Sequence, residues 1–342
     1  MNKLKIKKIS LALVSVGLLM AGTYGSAQAT ALATSTLEMT NFMILHSNGT
    51  TYDLGDFSVI TPSSSANIAS NYNGVTGTNF GGLLGGGPTP TGQIDLYPVC
   101  QGPGCNQNSN PAHGSNFNGV LDNAFPKLNN PTNPSGSNFV AADQFEAGSP
   151  ITGQVDALRN PIAAGATIKS GSWASLTSAS AGPNNASATN QLSVGWIFTP
   201  SQADSLTFNF NTDIYQESFL SADMLFPAAA STSSQFFIKI TNDQGVEVFN
   251  FSSSSLNTGT SRNAPLDGTR RLAGESAGVP ISAAWSLTTI KLDPGREYSL
   301  DATLKTTAAA TASVPEPDVL ALLGIGLLGL GASQFRRRRT AV

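Results

Sequence analysis

Apolar and polar residues alternate one by one along much of this chain, a period of two rather than 3.6. Tyr298, Leu300, Ala302 and Leu304 alternate with Ser299, Asp301, Thr303 and Lys305, the pattern of a half-buried strand. The segment Ala284–Leu292 reads as another strand, joined to it through Asp293-Pro294-Gly295-Arg296, whose central Pro-Gly predicts a type II turn. In Ser234–Phe251, Phe236, Ile238 and Ile240 share one face, and Val246 and Val248 are expected to oppose them across Asn242-Asp243-Gln244-Gly245. Ser205–Asn211 points Leu206, Phe208 and Phe210 inward, and Gln191–Phe198 is a more continuously apolar strand. Leu37–Leu45 and Thr50–Ile60 flank Ser47-Asn48-Gly49, and Asn-Gly predicts a hairpin. No segment away from the two ends carries a sustained helical stripe.

Strands of this kind each bury one face, and two sheets packed face to face allow it. The pattern predicts a mainly β protein, an antiparallel β-sandwich of jelly-roll type with long Gly/Asn/Pro-rich loops. Gln191–Thr306 is its best-defined part, and the N-terminal hairpin completes it. Between Thr61 and Asn138 the composition turns to Gly, Pro, Asn and Ser, which predicts a loosely ordered insertion. A second irregular stretch is expected from Ser252 to Pro280. Aromatic residues that alternate within strands read as core rather than as a sugar-stacking platform.

The two ends obey different rules. Lys3, Lys5, Lys7 and Lys8 precede an apolar run from Ile9 to Met20, and Ala27-Gln28-Ala29 supplies the small residues that signal peptidase requires. Residues 1–29 read as a leader cut at Ala27 and Ala29, with the exported chain starting near Thr30. At the other end Val319 to Phe335 carries no charge. As a helix it is about 25 Å long, enough for a short membrane span, and Arg336, Arg337, Arg338 and Arg339 would hold its end in the cytoplasm. Gly324, Gly326 and Gly329 have the spacing of a dinucleotide loop, but no acidic residue follows Asp318 to hold a ribose.

Pro315, Glu316 and Pro317, then a Gly/Leu-rich span, then a basic cluster, resemble the PEP-CTERM sorting signal. The resemblance covers residues 314–342. It implies a substrate of exosortase: a chain held transiently in the inner membrane, cut near Pro-Glu-Pro, and delivered to the cell surface or extracellular matrix of a Gram-negative bacterium. It also implies an exopolysaccharide and biofilm setting. Residues 30–313 would form the exported domain.

Charge agrees with export. The chain has 18 Lys+Arg against 21 Asp+Glu. Once the four leader lysines, the four terminal arginines, Glu316 and Asp318 are removed, 10 basic face 19 acidic residues, a net of −9. That sign argues against nucleic acid as a partner. Cys100 and Cys105 in CQGPGC are expected to close on each other outside the cytoplasm, the turn being made by Gly102-Pro103-Gly104. Zinc on this pair would need His113 or His46 as further ligands, and no second cysteine pair exists. Neither metal nor cofactor is expected.

One hydrolase signature occurs, G-E-S-A-G at Gly274–Gly278, with Ser276 in the nucleophile position. That elbow places its histidine after the serine, whereas His46 and His113 both precede it. The sequence thus reads as a non-enzymatic exported surface or matrix protein. A secreted carbohydrate-binding module and a secreted hydrolase are the alternatives.

Overall fold

A computed structural model describes residues 30–84, 99–102, 138–153, 164–177, 182–220, 228–263, 271–272 and 281–314. The strands are β1 (Thr30–Leu45), β2 (Phe57–Tyr72), β3 (Val75–Leu84), β4 (Val99–Gln101), β5 (Phe139–Ala147), β6 (Ala166–Thr177) and β7 (Gly182–Pro200). They continue with β8 (Thr207–Leu220), β9 (Ala228–Asn242), β10 (Glu247–Ser252), β11 (Thr258–Asn263), β12 (Arg271–Leu272), β13 (Ile281–Thr288) and β14 (Tyr298–Val314). A single 3-10 turn, Leu54–Asp56, is the only helical element among the described residues.

The strands form two antiparallel sheets that share one core. The first has the order β12-β8-β1-β6-β5-β4, with β13 also on β8; the second has the order β10-β9-β14-β7-β2-β3, with β11 also on β9. Alternation along the central strands decides which residues enter the core. In β9 every second residue from Ala228 to Ile240 is buried, and in β14 Leu300, Ala302, Leu304, Thr306, Ala308, Ala310 and Ala312 are buried.

The interior has two unlike halves. One is rich in large side chains, including Phe42, Phe198, Phe208, Phe210, Phe236 and Tyr298. The other is built largely from alanines: Ala31, Ala33, Ala174, Ala186, Ala188, Ala228, Ala230, Ala308, Ala310 and Ala312. A buried polar belt lies between them. The Thr306 hydroxyl lies 3.0 Å from both Ser170 Oγ and Ser172 Oγ, and Ser172 also donates to the Thr306 carbonyl at 3.1 Å. Ser35 Oγ reaches across the sheets to the Ser233 carbonyl at 2.9 Å. These bonds satisfy hydroxyls that would otherwise be costly to bury.

Several local expectations are corrected by this topology. The hairpin expected between Leu37–Leu45 and Thr50–Ile60 forms only at its tip, where Leu45 pairs antiparallel with Thr51 and Tyr52 N–H donates to the Ile44 carbonyl at 3.0 Å. The Asn48-Gly49 turn closes with a His46 N–H to Thr50 carbonyl bond, but β1 then gives way to the 3-10 turn and β2 enters the opposite sheet. The 3-10 turn is held by its own caps, in which Asp53 accepts from Gly55 N–H and Asp56 accepts from Asp53 N–H. The Pro294-Gly295 turn forms, with Gly295 at φ 72°, yet it too carries the chain from one sheet to the other, because β13 pairs with β8 and β14 with β9.

The β9–β10 hairpin is present, with Gly245 at φ 73° in its turn. A register shift between Glu247 and Phe249 makes Phe249 and Phe251, rather than Val246 and Val248, the residues opposite Ile240 and Ile238. Thr61–Leu84, expected within a loosely ordered insertion, is instead the rest of β2 and all of β3. Thr258–Asn263, within the second stretch expected to be irregular, is β11. The structure is mainly β and its sheets are antiparallel, as the alternation requires.

Candidate functional site

The last central strand leads straight into the C-terminal segment. β14 is paired on both sides: with β9 as far as Ala312 opposite Ala228, and with β7 to its final residue, Val314 opposite Gly182. Among the described residues Ser313 and Val314 pair with β7 only. Across the core, β1 begins at the same end of the sandwich, with Thr30 opposite Thr177 and Ala31 opposite Leu220. Ala31, Ala33, Ala310 and Ala312 share the alanine-rich core of this half. The two strands that border the termini thus start and finish at one pole.

The β2–β3 turn at this pole is fixed by amide contacts. Asn73, at φ 48°, donates through Nδ2 to Asn184 Oδ1 at 2.9 Å, and its Oδ1 accepts from the Asn185 N–H at 2.8 Å. Asn73 N–H also donates to the Asn185 carbonyl. These bonds tie the β2–β3 turn to the start of β7, the strand that carries the end of β14.

The opposite pole holds the main titratable cluster. His46 Nδ1 is 2.8 Å from Asp204 and Nε2 is 3.0 Å from Asp56, while its ring stacks on Tyr52 with centroids 3.7 Å apart. Both ring nitrogens face carboxylates. Burial works against ionisation of Asp204, but hydrogen bonds from the Ser47 side chain, His46, and the Ser205 and Ser47 backbone outweigh it and hold the carboxyl at about 2. Tyr52 moves the other way. Burial raises its pKa, helped by the charge of Asp204 and by the hydrogen bond its hydroxyl donates to that carboxylate.

The cluster gathers three crossings between sheets, at residues 46–56, 201–206 and 289–297. Leu292 N–H donates to the Asp204 carbonyl at 2.8 Å and Ser201 N–H to the Asp56 carbonyl at 2.9 Å. With both nitrogens of His46 engaged, neither lone pair is open to take a proton from a serine. The two carboxylates also sit on opposite edges of the ring, so these three groups do not converge on one cation. The arrangement is a clamp. The sequence offers His46 as a possible zinc ligand and as a triad histidine placed before rather than after Ser276, and the partners Asp56 and Asp204 carry no local signal, being set by the crossings.

Of the residues singled out in the sequence, Cys100 lies in β4, opposite Ala141 of β5. Cys105, Ala27, Ala29, His113, Ser276, Pro315, Glu316, Pro317 and Arg336–Arg339 lie outside the described residues, as does the expected span 319–335. Among the described residues no helix is long and apolar enough to cross a membrane.

Comparison with known families decides the C-terminal segment. Residues 313–338 match the PEP-CTERM protein-sorting motif. The chain carries a PEP-CTERM motif. Its first two residues, Ser313 and Val314, are the last rungs of β14, so the motif leaves the sandwich with no intervening linker. The PEP-CTERM motif marks the chain as exported, directed to exosortase and anchored transiently at the membrane. None of the curated proteins matches the chain. Two solved structures of infectious bursal disease virus, from the Gx and Gt strains, align at 14% and 12% identity. They cover 91% and 85% of this chain and 88% and 80% of their own, each with a TM-score of 0.09, and carry no argument about its fold.

Proposed function

We propose that this chain is a non-enzymatic structural protein of the cell surface or extracellular matrix of a Gram-negative bacterium, delivered there by exosortase. The observation that carries the reading is the attachment of the PEP-CTERM motif to the central strand β14, at the pole where β1 also begins. A leader and a sorting tail that both enter the inner membrane would hold the sandwich by this one pole. The domain would fold outside while both ends remain anchored, and the aromatic pole would point away from the bilayer. Signal peptidase then frees the end near Ala27 and Ala29, and exosortase cuts near Pro315-Glu316-Pro317.

Several features support a structural rather than a catalytic role. The His46 clamp has no free base, and the sandwich offers long paired strands of neutral Ser, Thr and Asn faces. In the matrix the partner would be exopolysaccharide, in a biofilm setting. The Cys100–Cys105 staple belongs to the same reading, as a device for an oxidising compartment. The test is intact-mass measurement of the protein recovered from the cell surface. A mass that begins near Thr30 and ends near Pro315 is expected. A surface form that retains residues 319–339 would contradict processing at the motif.

A further inference from the structure

On the outer side of the first sheet, β1 loses register with β6 between Met39 and Phe42 and with β8 between Thr40 and Met43. Asn41 occupies this bulge at φ 54°, a left-handed conformation that Asn tolerates better than most residues. The bulge opens a notch of about 290 Å3 against β8 and β13, with Asn41, Met43, Asn209, Asn211, Ala284 and Ser286 in its lining. That volume is close to the lower end for small-ligand sites, about 300 Å3. Asn209 and Asn211 face outward because the intervening Phe208 and Phe210 are buried in the core.

The indole N–H of Trp285, also in the lining, donates to Thr212 Oγ1 at 2.8 Å, but one shielded polar atom of the notch lacks a partner. Asn209 Oδ1 is shielded from water and accepts no hydrogen bond. Asn41 and Asn211 are exposed, so their carboxamides are open to a ligand. A shielded acceptor is costly to leave unsatisfied, so a donor that enters the notch gains more than it would at an open surface. Each carboxamide offers two donors and one acceptor, which matches hydroxyl groups that both give and take hydrogen bonds. Met43 and Ala284 supply an apolar patch for a C–H face. No charged side chain lines the notch; the positions flanking it on the same face of β8 are Thr207 and Asp213, the latter laddered to Glu38, which pairs with Lys169 at 3.7 Å.

We propose that this notch binds neutral hexose units of a polysaccharide, through Asn41, Asn209 and Asn211. The site is independent of the sorting motif, whose first two residues end the other sheet's central strand, and its failure would leave the export reading intact. The test is affinity electrophoresis of the full chain, held in a polyoxyethylene detergent, through gels that contain dextran, a β-glucan, a galactomannan or alginate. At least one neutral polymer should retard the parent, alginate should not, and Asn209→Ala/Asn211→Ala should weaken retardation by about tenfold or more. Asn67→Ala, on an exposed position of the other sheet, should behave as the parent. If the double variant fails to fold, Asn41→Gly removes one carboxamide at a φ that glycine prefers and should still cost several-fold. Passage of the parent unretarded through all three neutral gels would overturn the proposal. So would retardation by alginate alone, or a folded variant retarded as strongly as the parent.

Discussion

Substituting Asp204→Asn removes the charge that draws His46, Ser47 and Tyr52 together while keeping the side chain's size. The carboxyl is held at about 2 against an ordinary 3.8, which corresponds to about 2.5 kcal/mol at about 1.4 kcal/mol per pH unit. Its side chain keeps 22% of its exposure, so water screens part of this, and a loss of about 1.5–2 kcal/mol is expected at neutral pH. For a domain of this size that lowers Tm by about 3–4 °C. The pH dependence gives the sharper reading. A carboxyl with a depressed folded pKa contributes fully above its unfolded value near 3.8, and the contribution is lost as pH falls towards about 2. Urea unfolding of parent and variant from pH 7 down to pH 2.5 should show a constant gap above about pH 4.5 that narrows below it. A gap that stays the same down to pH 2.5 would refute the electrostatic account of the clamp and leave only a packing role for Asp204.

Other perturbations probe separate layers. Phe210→Ala, in the aromatic half of the core, should cost about 3–5 kcal/mol by urea titration, because Phe42, Phe236 and Trp285 all stack or pack edge-on against its ring. Thr306→Val should cost about 1–3 kcal/mol in the same assay, since Ser170 and Ser172 lose their shared buried partner while volume is kept. Non-reducing peptide mapping of the exported protein should link Cys100 to Cys105, and two free thiols or bound zinc would exclude the staple. A short Gly/Ser spacer inserted between Val314 and Pro315 should speed processing, measured by pulse-chase. An unchanged rate would show that the end of β14 does not restrict access to the motif.

Much of the second sheet was legible because its strands bury one face only. β9 follows the alternation of buried and less buried positions from Ala228 to Ile240, and β14 follows it from Tyr298 to Ala312 except at Thr303, which is buried as well. β1 was harder. From Ala31 to Leu37 it is buried at every position, Thr34 and Thr36 included, so polar residues that read as outward-facing are not exposed. Beyond Ile60, β2 and all of β3 carry no strand signal because Ser, Asn, Thr and Gly dominate them. Of the β2 residues whose burial is described, only Ala66, Ile68 and Ser70 are buried, and the strand's place in the sheet comes from pairing with β7, far away in sequence. The Asn48-Gly49 and Pro294-Gly295 turns were correctly placed, but a turn does not state whether the next strand stays in its sheet. The clamp was illegible for a similar reason: Asp204 is 158 residues from His46 and meets it only through the crossings. The sorting motif, by contrast, is local, and the order of its parts sufficed.

Replacement of Pro315-Glu316-Pro317 by alanines, followed by cell fractionation and terminal mass measurement, tests the central claim most directly. The variant keeps its apolar span and arginines, so it should accumulate uncut in the inner membrane while the parent reaches the surface in a form that ends near Pro315. Export and cleavage of that variant at the parent's rate would show that the tail is an anchor only, and the assignment to exosortase would fall.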